Sequence, residues 1–146
     1  MTSPNKNVHG NARVYDDAFV SVNAHVSGNA HVSGNASVYG DAFVYGNARV
    51  SGNAHVYGNA RVYGDAFVSV DSVVKTPQGC FFAYFPARTG TYGLTLTKTL
   101  RGTTRFVWGC REGDDLRQYF KENPDYGNLS KAPLAFLEAF ELANRD

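Results

Sequence analysis

Residues 40–69 read GDAFVYGNARVSGNAHVYGNARVYGDAFVS, five copies of a unit with the rule Gly, Asn or Asp, Ala, any residue, Val, Ser or Tyr. Inside each copy, Ala-x-Val-x alternates as a strand does, with small apolar side chains on one side and variable ones on the other. Gly followed by Asn or Asp tolerates the left-handed backbone of a tight corner. Outward from this stretch the unit continues without insertion from Val8 to Lys75, eleven times in all. Its Asn/Asp position is filled by Asn11, Asp17, Asn23, Asn29, Asn35, Asp41, Asn47, Asn53, Asn59, Asp65 and Asp71, and its Ala persists from Ala12 to Ala66. A strand with only Ala and Val to bury closes no core alone, so the units must stack coil upon coil around one shared interior.

The pattern resembles the hexapeptide repeat of left-handed parallel β-helices, in which three units make one triangular coil. That resemblance implies a β-solenoid over residues 8–75, preceded by a flexible N-terminus (1–7). At three units per coil the outward residues fall into columns. The first face carries Arg13, His31, Arg49 and Phe67 beside Tyr15, Ser33, Ser51 and Ser69. The second carries Phe19, Ser37, His55 and Val73 beside Ser21, Tyr39, Tyr57 and Lys75, and the third His25, Phe43 and Arg61 beside Ser27, Tyr45 and Tyr63. Outward tyrosines exceed what solubility requires, and Tyr39, Phe43, Tyr45, Tyr57 and Tyr63 are the candidate subunit contacts. The segment DAFV recurs at Asp17, Asp41 and Asp65, every fourth unit, so Phe19, Phe43 and Phe67 land on different faces and form no lattice-matched array.

The period stops at Thr76-Pro77-Gln78-Gly79, a linker over 76–79, and a small α+β module is expected over 80–146. Phe81–Phe85, Tyr92–Thr99 and Arg105–Cys110 read as strands of an antiparallel sheet. Asp114–Glu122 reads as a helix opened by Gly113-Asp114, and Ser130–Ala143 as a second with Ser130 as cap and Leu134, Leu137 and Phe140 buried. No acid lies between Asp71 and Glu112, whereas eight lie from Glu112 to Asp146. Two readings follow: the basic sheet pairs with the acidic helices, or Arg88, Lys98, Arg101, Arg105 and Arg111, with Tyr92 and Trp108, form a surface for an anion or acidic partner. Cys80 and Cys110 are expected as buried free thiols, with a bridge between them as the alternative.

Composition narrows the classes further. The net charge of +1 argues against a generic polyanion binder. No stretch has the roughly 20 apolar residues that cross a bilayer, and MTSPNKNVHG lacks the apolar core of a signal peptide, so a cytoplasmic protein is expected. Acyltransferases of this fold have a loop thrust out of a coil and a catalytic His, whereas this repeat is uninterrupted. γ-Type carbonic anhydrases bring three histidines around zinc, whereas His25 and His31 are one unit apart, on adjacent faces, and no Glu precedes Glu112. Neither residue pattern supports catalysis, and the expectation is a protein that is not an enzyme, with no cofactor, no metal and no catalytic residue.

The array together with Gly109-Cys110-Arg111-Glu112-Gly113, Leu116, Phe120 and the strand LTLTKTL resembles hexapeptide-repeat proteins of bacteriophages and prophages, whose short C-terminal module has a Gly-Cys-x-x-Gly segment. The resemblance implies a homotrimer in the bacterial host cytoplasm that occludes or sequesters a host protein or complex and so inhibits an anti-phage defence such as CRISPR-Cas. Its partner would be that host component, with no membrane involved. A sponge for an anionic signalling nucleotide is the runner-up, and a hexapeptide acyltransferase or γ-type carbonic anhydrase the third reading.

Overall fold

The computed structural model describes residues 7–21 and 23–145. Each hexapeptide makes one short strand: β1 Arg13–Val14, β2 Phe19–Val20, β3 His25–Val26, β4 His31–Val32, β5 Ser37–Val38, β6 Phe43–Val44, β7 Arg49–Val50, β8 His55–Val56, β9 Arg61–Val62, β10 Phe67–Val68 and β11 Ser72–Val74. Strands three units apart pair in parallel, Arg13 with His31, Phe19 with Ser37 and His25 with Phe43. The three faces are therefore β1-β4-β7-β10, β2-β5-β8-β11 and β3-β6-β9, the columns that the repeat predicts. The chain forms a parallel β-solenoid followed by a small sheet and helices.

Two features of the unit hold the coils together. The Ala and Val side chains from Ala24 to Val68 are fully buried and fill the interior. At the corners, glycines such as Gly28 and Gly52 take φ of +65° and +63°, and a Cβ on Gly52 would lie 2.8 Å from the Val70 amide nitrogen. Glycine is needed there for the left-handed backbone and for the close approach of the next coil. The neighbouring asparagines form side-chain ladders, Asn11 donating to Asn29 and Asn29 to Asn47, each at 3.2 Å. Asn7, expected as flexible, is in register: its carbonyl accepts from the Val26 amide at 2.9 Å. The remainder of that expected N-terminal segment, 1–6, lies outside the described residues.

The C-terminal part adds β12 Cys80–Pro86, β13 Thr91–Thr99, β14 Thr104–Trp108, β15 Arg111–Gly113, α1 Leu116–Glu122 and α2 Lys131–Ala143. β11 pairs with β8 on one side and antiparallel with β13 on the other, so the second solenoid face continues through β13, β14 and β15. A single sheet thus crosses the boundary at 76–79, where Pro77–Gly79 makes a tight turn and Gly79 is buried. The alternating LTLT strand serves both layers. Leu94 and Leu96 join Trp108, Phe120, Leu137 and Phe140 in a second core. The buried Thr95 and Thr97 belong to the other row, where the Thr97 hydroxyl bonds that of Ser72 at 2.8 Å and Thr95 Oγ1 accepts from the Phe67 amide at 3.1 Å. No further coil follows to accept the Phe67 N–H, and the Thr95 hydroxyl supplies that acceptor.

Four local expectations are corrected. α1 is capped by Asp115, whose Oδ1 accepts from Gln118 N at 2.9 Å, because Asp114 is engaged by Arg101. Ser130 does not cap α2: helical turns over Pro124–Ser130 run into it, and the Ser130 hydroxyl donates back to Gly127 O. Leu134 is only half-buried, and Pro133 takes its place in the core. Both cysteines are free, but Cys110 is exposed in the turn before β15 and only Cys80 is buried, against the solenoid core. No helix among the described residues is long and apolar enough to cross a membrane.

Candidate interaction surfaces

The module's basic residues do not make one surface. Trp108 is fully buried beneath Tyr92, Phe120 and Tyr126, so its placement at a partner surface is corrected: the indole is the centre of the second core. Arg105 is also buried, its guanidinium 2.7 Å from Glu112 and 3.7 Å from Asp114. Arg101 bridges Asp71 of the last coil at 3.5 Å and Asp114 at 3.0 Å. Arg88 pairs with Asp125 at 3.1 Å and lies 4.7 Å above the Tyr126 ring. Tyr92 is half-buried, edge-on to Trp108 and packed over Gly109. The structure therefore pairs three of the five cations with carboxylates, Arg105 buried and Arg88 and Arg101 at the surface, in contacts that tie the module together and to the solenoid. Lys98 and Arg111 take part in none of the ion pairs among the described residues.

Lys98 lines a cleft of about 680 Å³ between the turn at Gly102–Thr104, the start of α1 and the end of α2. Lys121 and Arg145 share its walls with Asp114, Asp115 and Glu141. Among the described residues no group of three or more His, Cys, Asp or Glu is placed to hold a metal ion.

The solenoid faces carry a different arrangement, because parallel in-register stacking sets each outward side chain directly on the one in the next coil. On the third face, His9 stacks at 6.5 Å on His25, His25 at 4.8 Å on Phe43, and the Arg61 guanidinium lies 5.0 Å from the Phe43 ring. Tyr45 and Tyr63 stack at 5.9 Å in the column beside them. The second face has Tyr39 on Tyr57 at 5.0 Å, the ring planes nearly parallel. Burial, then the neighbouring Tyr57, raises the Tyr39 pKa; burial, then Cys80 and Tyr45, raises that of Tyr63. These phenols stay neutral donors. A ring whose faces are covered by its neighbours offers only its edge and hydroxyl, which suits a flat protein contact better than sugar stacking.

The five candidate contact residues all stand in these ladders, and His9, His25 and Arg61 complete the third-face plate. The first face also presents a candidate binding surface, with Arg13, His31, Arg49 and Phe67 in one column. Its signal lay in the position of the acids: Asp17, Asp41, Asp65 and Asp71 fill the Asn/Asp corner position and Asp16 a glycine position, so the flats of the solenoid hold no carboxylate.

A family model described as the YdcK beta solenoid repeat matches residues 42–58 and again 54–70, two overlapping windows offset by two hexapeptides. No curated protein and no solved structure matches the chain. The repeat, its in-register coils and this match make the chain a β-solenoid repeat protein.

Proposed function

We propose that the protein is a non-enzymatic binding protein: a rigid solenoid body that associates with its own copies into a homotrimer and occludes or sequesters a component of a bacterial host, in the phage-encoded, anti-defence manner that its sequence resemblance implies. The observation that carries this reading is the third-face plate, where histidine, phenylalanine, arginine and tyrosine stack into a flat, pre-ordered surface of interface composition. Side chains already locked by their neighbours lose little entropy on docking. Threefold presentation would add avidity to a steric block.

The test is native mass spectrometry of protein recovered gently from a bacterial lysate. A trimer with a stoichiometric host protein is expected, and Phe43→Glu combined with Tyr63→Glu should leave a folded monomer. A wild-type protein that stays monomeric at micromolar concentration would remove the assembly. Turnover of acyl-CoA or bicarbonate that is lost on replacing His25, His31 or His55 would replace the reading with a catalytic one.

The cleft beside α1 favours a second reading. Its volume suits a small anionic ligand, and Lys98, Lys121 and Arg145 lie in its wall outside every ion pair among the described residues. A sponge for a signalling nucleotide would deplete it from solution and release it unaltered on denaturation. Failure to retain any nucleotide would end this alternative.

A further inference from the structure

The first solenoid face differs from the other two. Its central column runs Arg13, His31, Arg49, Phe67 in register, one residue per coil. Neither the Arg13 nor the Arg49 guanidinium has an ion-pair or hydrogen-bond partner among the described residues, whereas those of Arg88, Arg101, Arg105 and Arg117 are all paired. Arg49 lies 5.5 Å over the Phe67 ring, and Tyr15 stands edge-on to His31 at 6.1 Å. Tyr15 and Phe67 are 44% and 39% exposed, so apolar surface flanks the charge at both ends of the column. Exposed arginine set among aromatic rings is the composition of protein-binding hot spots.

We infer that this strip, Tyr15, Arg13, His31, Arg49 and Phe67, is a docking surface for an acidic protein segment in extended conformation. Two coils separate Arg13 from Arg49, which at strand spacing is about 10 Å. Carboxylates three residues apart on an extended chain of the polyproline II type lie on one side of it, about 9 Å apart, so such a segment lying along the solenoid axis sets one on each guanidinium. The cation over Phe67 is held in place before binding, which reduces the entropy lost on docking. A protein segment fits better than nucleic acid because the strip is short and bounded by carboxylates: Asp65 lies in the corner leading into Phe67, and Asp17 in the corner after Tyr15. A continuous polyanion with a charge about every 1.7 Å would run onto both.

This deepens the binding-protein reading and rests on it, by giving the partner a chemistry and a face. The probe is a fluorescein-labelled peptide of Glu-Thr-Ser repeats, titrated with the full-length protein at low ionic strength and followed by fluorescence anisotropy. Saturable binding is expected, weakened about tenfold or more by Arg13→Glu with Arg49→Glu, absent for the Gln-Thr-Ser counterpart, and unchanged by Lys131→Glu at the exposed start of α2. Arg13→Gln with Arg49→Gln serves if the charge-reversed protein melts early. No saturable binding, equal binding by the double variant, or tighter binding of a single-stranded oligonucleotide of similar length would overturn the strip. A host protein captured equally well by the double variant would also overturn it while leaving the binding function standing.

Discussion

The corner glycines show how little room one atom has in this molecule. At Gly52 a methyl group meets the Val70 backbone at 2.8 Å and the residue sits at φ +63°, so Gly52→Ala should cost about 2 kcal/mol, read as a lower thermal midpoint. Val70 occupies a glycine position with φ +59° and an exposed, β-branched side chain. Val70→Gly should therefore raise the midpoint, by about 1 kcal/mol of relieved strain. The two thiols should separate chemically. Burial pushes Cys80 up to about 12, so iodoacetamide at mildly alkaline pH should modify the exposed Cys110 and reach Cys80 only after unfolding. Because the unfolded Cys80 ionises from about 9, the unfolded chain binds fewer protons above that pH. Stability should fall from pH 9 towards 12 by about 1.4 kcal/mol per unit from this group, and Cys80→Ala should flatten that slope in alkaline melts.

At the scale of elements, the junction between β11 and β13 decides whether solenoid and module behave as one body. Ser72 stands where every earlier unit from Ala12 has alanine, and its buried hydroxyl is bonded by Thr97. Thr97→Val should strand that hydroxyl and cost about 1–3 kcal/mol, whereas Ser72→Ala with Thr97→Val should recover most of the loss. Denaturant unfolding of the three variants measures the coupling. The strands themselves were legible because alternation and a six-residue period are local properties. The change from Ala to Ser at residue 72 was legible as a letter but not as a joint, since its partner lies 25 residues away on a strand whose register no local pattern specifies. β15 and the cap at Asp115 escaped for a similar reason: three-residue strands and competing aspartates are resolved by partners, here Phe106–Trp108 and Arg101.

For the whole molecule, the module acts as the terminal cap of the solenoid. Without it, β10 and β11 would present bare edges above an Ala/Val interior, a template for pairing with other chains. A chain ending at Lys75 should therefore aggregate, seen as light scattering at concentrations where the full chain stays clear. An isolated 8–75 segment that remained soluble and gave the same circular dichroism minimum would contradict this. The cation distribution follows from the same architecture. Arg88, Arg101 and Arg105 were conspicuous in an acid-free stretch, but folding brings them against Asp125, Asp71, Asp114 and Glu112, whereas Arg13, Arg49 and Arg61 on the flats of the repeat are in no ion pair among the described residues.

The amino-acid sequence by itself determined the repeat and its inward and outward positions. At three units per coil, as the resemblance to left-handed β-helices implies, the same spacing places Arg13 beside His31 and Tyr39 beside Tyr57 in successive coils. Only the tertiary structure decided which charges remain free and where the second core lies. Ion pairing and burial depend on residues distant in the chain: Trp108 and Arg105 lie on one strand, yet the first is enclosed by helices and the second by carboxylates from β15 and the approach to α1. A periodic segment carries its neighbours in its own spacing, whereas an aperiodic one acquires them only when long-range contacts close.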